Sequence, residues 1–243
     1  MACTANIEFQ PMRLDKFIGN NTELSRTQIH TAIKQGLVYV NDQVVVKNNT
    51  HIKDADKVVL DDQIIVPRKP RYFMLHKPAG YVCANSDSEH PTVLDLLDLP
   101  FKHELQIAGR LDLDTTGLVL LTDDGQWNHK ITSPKHMHTK SYLVTTANPI
   151  ESTYTKIFAD GLMLKGETRK TLSADLSIFD THHAGLRICE GKYHQVKRMF
   201  AAVGNHVIAL HRNRIGSIYL GDLPSGQFRQ LSTEEIESFG NHP

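Results

Sequence analysis

Gly109-Arg-Leu-Asp-Leu-Asp-Thr-Thr-Gly-Leu-Val-Leu-Leu-Thr-Asp-Asp-Gly125 sets an arginine and two carboxylates on a glycine-bounded segment that feeds an unbroken apolar run. Residues 118–121 read as a buried strand. Arg110, Asp112 and Asp114 then lie on a loop held by a rigid element, which is how sites are commonly built. In an extended loop side chains alternate, so Asp112 and Asp114 would face the same side. Spacing alone fits a surface turn rich in Asp and Thr equally well.

Outward from this stretch, residues 72–76 and 105–107 read as strands before it, with a polar loop at 85–90 and a short helix at 92–97. After it, Asp123 or Asp124 can cap a helix through His129, and residues 142–146 alternate as a strand. A helix at 152–159 stops at Gly161; strands follow near 171–179, 185–189, 206–211 and 215–220. In residues 194–202, Val196, Met199, Phe200 and Val203 fall at i, i+3, i+4 and i+7, and Gly204 ends the helix. Ser232-Thr-Glu-Glu235 opens a last helix with a capping box. Strands and helices without regular alternation predict an α+β domain on a mainly antiparallel mixed sheet with flanking helices.

Towards the N-terminus, Leu14, Phe17 and Ile18 share a helix face. Ser25-Arg-Thr-Gln28 is a capping box for a second helix bearing Ile29, Ala32 and Ile33, with Gly36 as its stop. Residues 37–40 and 43–46 form a hairpin through the two-residue turn Asn41-Asp42, and residues 58–66 form a third strand. Arg13, Lys16, Arg26 and Lys34 fall outside the apolar stripe, as on any solvated helix face. Pro67-Arg-Lys-Pro-Arg71 reads as a linker, because its prolines cannot continue a paired strand and its charges favour water. The expected domains are residues 1–66, a linker at 67–71, and residues 72–243.

The 243 residues balance 27 Lys and Arg against 27 Asp and Glu, with 40% hydrophobic residues. A zero net charge argues against a generic nucleic-acid binder, but the distribution is uneven. Arg187, Lys192, Lys197, Arg198, Arg212 and Arg214 share one stretch with a single acid, Glu190, a local cationic surface suited to a polyanion. Cys3, Cys83 and Cys189 have no paired spacing, which argues against a disulfide framework or a zinc ribbon. The first residues lack the basic start and apolar core of a signal peptide, and no run approaches membrane-spanning length. The expectation is a cytoplasmic protein that keeps off membranes. Fourteen histidines, including His136, His138, His182 and His183, occur without the carboxylate-histidine spacing of a metal motif, so no metal site is expected.

Arg110-Leu-Asp112 with Thr116-Gly-Leu118 resembles the catalytic signature of the pseudouridine synthases of the RsuA and RluA type. Further matches in order are Thr122-Asp-Asp-Gly125, Lys140-Ser-Tyr-Leu-Val144 and Glu190-Gly-Lys-Tyr-His-Gln-Val-Lys-Arg-Met199, and they favour the RsuA branch. Arg13-Leu-Asp-Lys-Phe17, Ser25-Arg26 and Gly36-Leu-Val-Tyr-Val-Asn41 resemble the small RNA-binding module appended to that branch and shared with a ribosomal small-subunit protein. The family usually has glycine in the hairpin turn at Asp42, and Asp tolerates that geometry.

The resemblance implies an N-terminal α/β RNA-binding module, with a motif of two helices lying on RNA, joined to a synthase domain. It implies isomerisation of a specific uridine to pseudouridine in small-subunit ribosomal RNA, free or in an assembling particle, by a monomer that needs no cofactor. It puts the catalytic carboxylate on Asp112, which would be ionised at pH 7 without tuning, and leaves sugar attack, base attack and a glycal route open. Tyr142 matches the aromatic that stacks on the target base, although an alternating strand residue is equally a core residue. Ile188 matches an apolar contact to uracil, and Arg110 an arginine that helps displace the target nucleotide. At about 100° per residue, Lys197 lies at the edge of the apolar helix face, able to reach Asp112, and Arg198 lies on the far side, towards solvent or phosphate. Asp114 keeps a structural reading, holding the loop. Arg13, Lys16, Arg26 and Lys34 fall on the two RNA-facing helices.

Overall fold

The computed structural model describes residues 12–53 and 55–239. The chain divides into two compact units, with the division between Lys69 and Pro70.

In the first unit, β1 (Met12–Arg13) leads into α1 (Leu14–Asn21), which buries Leu14, Phe17 and Ile18. Helix α2 (Arg26–Lys34) begins at the capping box: the Ser25 hydroxyl accepts from the Gln28 amide, and the Gln28 side chain accepts from the Ser25 amide at 2.8 Å. Ile29 and Ile33 complete the facing stripe, each side chain contributing about 1.5–3 kcal/mol by its burial. Gly36 then turns the chain at φ +75°.

Strands β2 (Val38–Val40) and β3 (Gln43–Val44) form the expected hairpin, with Asn41 and Asp42 both at positive φ, 51° and 62°. Strand β4 (His51–Ile52) pairs with β1. The third strand expected at 58–66 is instead a second hairpin, β5 (Val58–Leu60) and β6 (Gln63–Ile64), because Asp61 and Asp62 adopt φ 47° and 61° and reverse the chain. Short polar Asp tolerates this left-handed region as Asn does. The sheet order is β3-β2-β5-β6.

The second unit opens with β7 (Tyr72–Lys77) and continues through β8 (Gln106–Ala108) to β9 (Thr116–Thr122). Helix α3 (Gly125–Thr132) is capped by Asp124, whose carboxylate accepts from the amides of Gln126 and Trp127. Asp123 instead takes Arg71, through its backbone amide and its Nε, each at 2.7 Å. Arg71 also donates to the Pro100 and Phe101 carbonyls. The reading of Arg71 as a solvated linker residue is corrected: it is anchored in the second unit.

There follow β10 (Lys140–Thr146), α4 (Thr153–Ala159), β11 (Asp175–Ile178), β12 (His183–Ile188) and α5 (Gln195–Ala202). The chain ends with β13 (Val207–Ile215), β14 (Ile218–Tyr219), β15 (Phe228–Gln230) and α6 (Thr233–Glu237). Residues 206–211 and 215–220 are not two similar strands: β13 runs unbroken to Ile215, and only the pair Ile218–Tyr219 returns against it.

The sheet order is β11-β12-β10-β13-β9-β7-β15, with β14 on β13 and β8 on β9. It is mixed, since β13 and β9 pair in parallel while the other recorded ladders are antiparallel. Val119 and Leu121 pack in one apolar cluster and Leu118 and Leu120 in the other. Both faces of β9 are therefore covered, which explains a continuous apolar run in place of alternation. No helix among the described residues is long and apolar enough to cross a membrane.

Candidate active site

Strands β8 and β9 form a hairpin whose connection is the segment 109–115. The hairpin opens because β9 changes partners: β8 covers Leu120–Thr122, whereas β13 takes Thr116 and Gly117. Arg212 of β13 enters the gap at 1% exposure. Its guanidinium donates to the carbonyls of Gly109 at 2.7 Å and Arg110 at 3.4 Å, and twice to that of Leu118, at 2.9 and 2.7 Å. From the opposite side Lys77, fully buried, donates through Nζ to the carbonyls of Leu113 at 3.1 Å and Thr115 at 2.7 Å. Burial holds the Lys77 pKa below the usual lysine value. Two buried cations thus satisfy loop carbonyls that would otherwise be costly, and they put positive charge beneath the two carboxylates.

The loop is not extended. The Thr115 amide donates to the Asp112 carbonyl at 3.1 Å, closing a turn, and the Leu111 amide lies 3.3 Å from the Cys83 sulfur. Even so, both carboxylates meet one cation. Lys197 Nζ is 2.5 Å from Asp114 Oδ1 and 3.5 Å from Asp112 Oδ2. This hydrogen bond holds the Asp114 carboxyl below the usual carboxylate range. The other Asp112 oxygen, Oδ1, is 3.3 Å from His194 Nε2. His194 caps α5 from the left-handed region, φ 47°, a conformation that costs a non-glycine residue about 1 kcal/mol or more.

Helix α5 buries Val196, Met199 and Phe200, so the apolar spacing does leave Lys197 at the helix edge, facing the loop. Arg198 departs from expectation. Its guanidinium donates to Glu167 at 3.1 Å and to the carbonyls of Tyr193 at 3.0 Å and Lys165 at 2.6 Å. These partners, absent from any helix-wheel argument, hold it against the 165–167 turn, so a phosphate contact by Arg198 would have to compete with them.

The local cationic surface is smaller than the sequence count suggests, and most of its charges have partners. Arg212 is buried, Arg187 is paired with Asp175, Lys192 and Arg198 share Glu167, and Arg214 lies over the Tyr219 ring at 4.4 Å.

Asp112, Arg110, Tyr142 and Ile188 line one cleft of about 800 Å³. Arg110 is exposed at its lip, whereas Tyr142 and Ile188 are 8% and 2% exposed. On β10, Tyr142 stands opposite Arg212 on one side and Leu186 on the other, and Lys140 stands opposite Ile188. Lys140 joins the cleft, its pKa lowered by burial and then by Arg212. The sequence gives Lys77, Lys140 and His194 no role and counts Arg212 only as a surface cation. The lysine ending the apolar run of β7 was the available signal for Lys77, and the Tyr193-His194 pair beside Lys197 the signal for His194.

In the first unit, Arg13, Lys16 and Arg26 line a groove of about 710 Å³ with Asp15 and His30. Arg13 is paired with Asp15 through Nε at 3.1 Å and a terminal nitrogen at 2.6 Å and remains exposed. Lys16, Arg26 and Lys34 are exposed.

The family described as RNA pseudouridylate synthase matches residues 71–202, and the S4 domain matches residues 12–58. The chain is 49% identical over 228 residues to the ribosomal small subunit pseudouridine synthase A of Haemophilus influenzae, covering 93% of this chain and 98% of that protein. The protein of the same name from Escherichia coli is 48% identical, with 93% and 99% covered. A crystal structure of a pseudouridylate synthase superposes with a TM-score of 0.69 at 48% identity, covering 94% of this chain and 99% of that one.

Proposed function

The chain belongs to the RNA pseudouridylate synthase family, and from that premise we propose that it isomerises a uridine of small-subunit ribosomal RNA to pseudouridine with Asp112 as the catalytic carboxylate. The substrate class is the one named in its close relatives. The observation carrying the assignment to Asp112 is its setting: a carboxylate in a cleft, with His194 near one oxygen and Lys197 near the other, at 3.3 and 3.5 Å.

In the reaction the N1–C1′ bond of the uridine breaks and a C5–C1′ bond forms, while C5 loses a proton and N1 gains one. Composition is unchanged, so neither oxidant nor group donor is consumed. A carboxylate beside C1′ can act as nucleophile or as electrostatic partner of an oxocarbenium-like sugar. Lys197 and His194 keep that carboxylate oriented, and Asp114 holds Lys197 in reach. Tyr142 offers a ring to the displaced uracil and Ile188 an apolar wall. Arg110 at the lip helps take the nucleotide out of its stack. Flipping costs a few kcal/mol, and about 1–3 kcal/mol of stacking on an aromatic offsets much of it. In the first unit Arg13, Lys16, Arg26 and Lys34 supply affinity for phosphates, and Arg13 also orders Asp15. The protein works as a cytoplasmic monomer on RNA or on an assembling subunit.

Mapping pseudouridine across small-subunit RNA from cells lacking the protein tests this directly. One uridine is expected to stay unmodified there and to be restored by the wild-type chain but not by Asp112→Asn. An unchanged pseudouridine map would overturn it.

A further inference from the structure

Beside the cleft stands a large aromatic that the reaction does not use. Tyr193 is 72% exposed, although a tyrosine ring ordinarily buries most of its surface. One face of its ring stacks on the His194 imidazole, with centroids 3.7 Å apart and planes 21° from parallel. Its backbone carbonyl accepts from Arg198 at 3.0 Å, and the next residue holds the left-handed conformation at the helix cap. The ring is thus backed on one face by His194 while its backbone is tied to Arg198, and its other face is free beside the cleft that Tyr193 helps to line. His194 reaches Asp112 Oδ1 at 3.3 Å, so this face stands one side chain away from the carboxylate.

We propose that Tyr193 is a second stacking platform, taking the nucleobase directly next to the target uridine in the bound RNA. The inference rests on the proposed function, since it needs a base extruded at Asp112. Extrusion of one base leaves its neighbours without a stacking partner. An exposed ring already stacked on one face replaces that partner at low entropic cost, because the His194 contact has restricted its rotamers in advance. A ring face accepts any base, so the contact adds affinity and sets the register of the target relative to Asp112 without reading a particular neighbour. The two aromatics divide the work: Tyr142, 8% exposed, lies within the cleft for the extruded base, and Tyr193 lies at the rim for the base left behind.

The test uses the full-length protein and a small-subunit RNA fragment centred on the uridine it converts, with 2-aminopurine placed in turn at each flanking nucleotide. Stacking quenches 2-aminopurine fluorescence, and quenching is expected at one flank with wild type and Tyr193→Phe and is expected to be lost with Tyr193→Ala. Tyr193→Ala should also weaken RNA binding by about 5- to 150-fold, the equivalent of one base stacked. An abasic nucleotide at that flank should weaken binding to wild type and add nothing in Tyr193→Ala. Equal quenching in wild type and Tyr193→Ala, or additive losses from the substitution and the abasic site, would overturn the platform while pseudouridine still forms. Absence of pseudouridine from the wild-type reaction would instead remove the functional reading, and this inference with it.

Discussion

Gly117 lies so close against Arg212 that a Cβ at that position would fall 2.2 Å from the Arg212 carbonyl oxygen. The two residues are partners in the short parallel ladder of β9 and β13, and Gly117 sits at φ +112°, a value L side chains rarely adopt. The close approach lets β13 enter the mouth of the β8–β9 hairpin and deliver the Arg212 guanidinium beneath the Asp112 loop. Gly117→Ala is therefore expected to cost about 2 kcal/mol or more, combining backbone strain with overpacking against main chain. Denaturant unfolding of the two proteins measures it, and an unchanged midpoint would mean that the ladder yields.

Arg212 itself should be less replaceable than any surface arginine. Hydrogen bonds to a charged donor are worth about 1.5–3 kcal/mol each, and a buried carbonyl left unpaired adds its desolvation penalty. Arg212→Met is expected to lose at least about 3 kcal/mol of stability, and turnover should fall with the loop displaced. Arg212→Lys should recover only part, since an ammonium lacks the planar fork that spans Gly109, Arg110 and Leu118. Full recovery of stability and rate by lysine would show that charge alone matters.

These two residues also mark where the sequence stopped being readable. Local chemistry was legible: the Ser25 and Ser232 capping boxes, the Asn41-Asp42 turn and the apolar face of α5 each depend on neighbours within a few positions. The approach of Lys197 to the loop followed from that helical spacing. Arg212 was counted with the surface cations because its partners are carbonyls 94 to 103 residues away, and a backbone acceptor leaves no mark in the sequence. The carbonyl partners of Lys77 were hidden in the same way, although its place at the end of an apolar run was not. The partners of Arg198 were not legible because helix spacing describes the helix and not the 165–167 turn that meets it.

The unequal sharing of Lys197 separates the two acids of the loop. Asp112→Asn is expected to abolish isomerisation while leaving RNA affinity nearly intact, because shape is kept and charge is lost. Asp114→Asn removes the closer anchor of Lys197 and should lower the rate while leaving measurable turnover. Single-turnover assays on both folded variants decide it. Equal and complete loss would refute a single essential acid.

Acid sensitivity should trace in part to Glu167. Hydrogen bonds from Lys192 and then Arg198 hold its carboxyl below the ordinary value of 4.5. A depressed folded-state pKa contributes stability that is fully present above the unfolded value and is lost as pH falls through the folded one. Glu167→Gln should therefore lower the melting temperature at pH 7, and the gap from wild type should begin to shrink near pH 4, where the unfolded-state carboxyl protonates, and close only below the depressed folded-state value. A gap independent of pH would assign the effect to packing.

The adjacent pair Lys197 and Arg198 tests the helix from both sides. Lys197 reaches the two loop carboxylates, so Lys197→Met is expected to lower the rate at saturating RNA with modest change in stability. Arg198 is bound to Glu167 and to two carbonyls, so Arg198→Met should lower the melting temperature and loosen the start of α5. A residue that neutralises an RNA phosphate adds nearly one unit to the salt dependence of binding, about 0.7–0.9 per contact. Since the Arg198 charge is already paired within the protein, its removal should leave that slope unchanged. RNA titrations across salt, run beside thermal unfolding, separate the cases. A reduced slope for Arg198→Met with normal stability would mean that the guanidinium leaves Glu167 for phosphate when RNA binds.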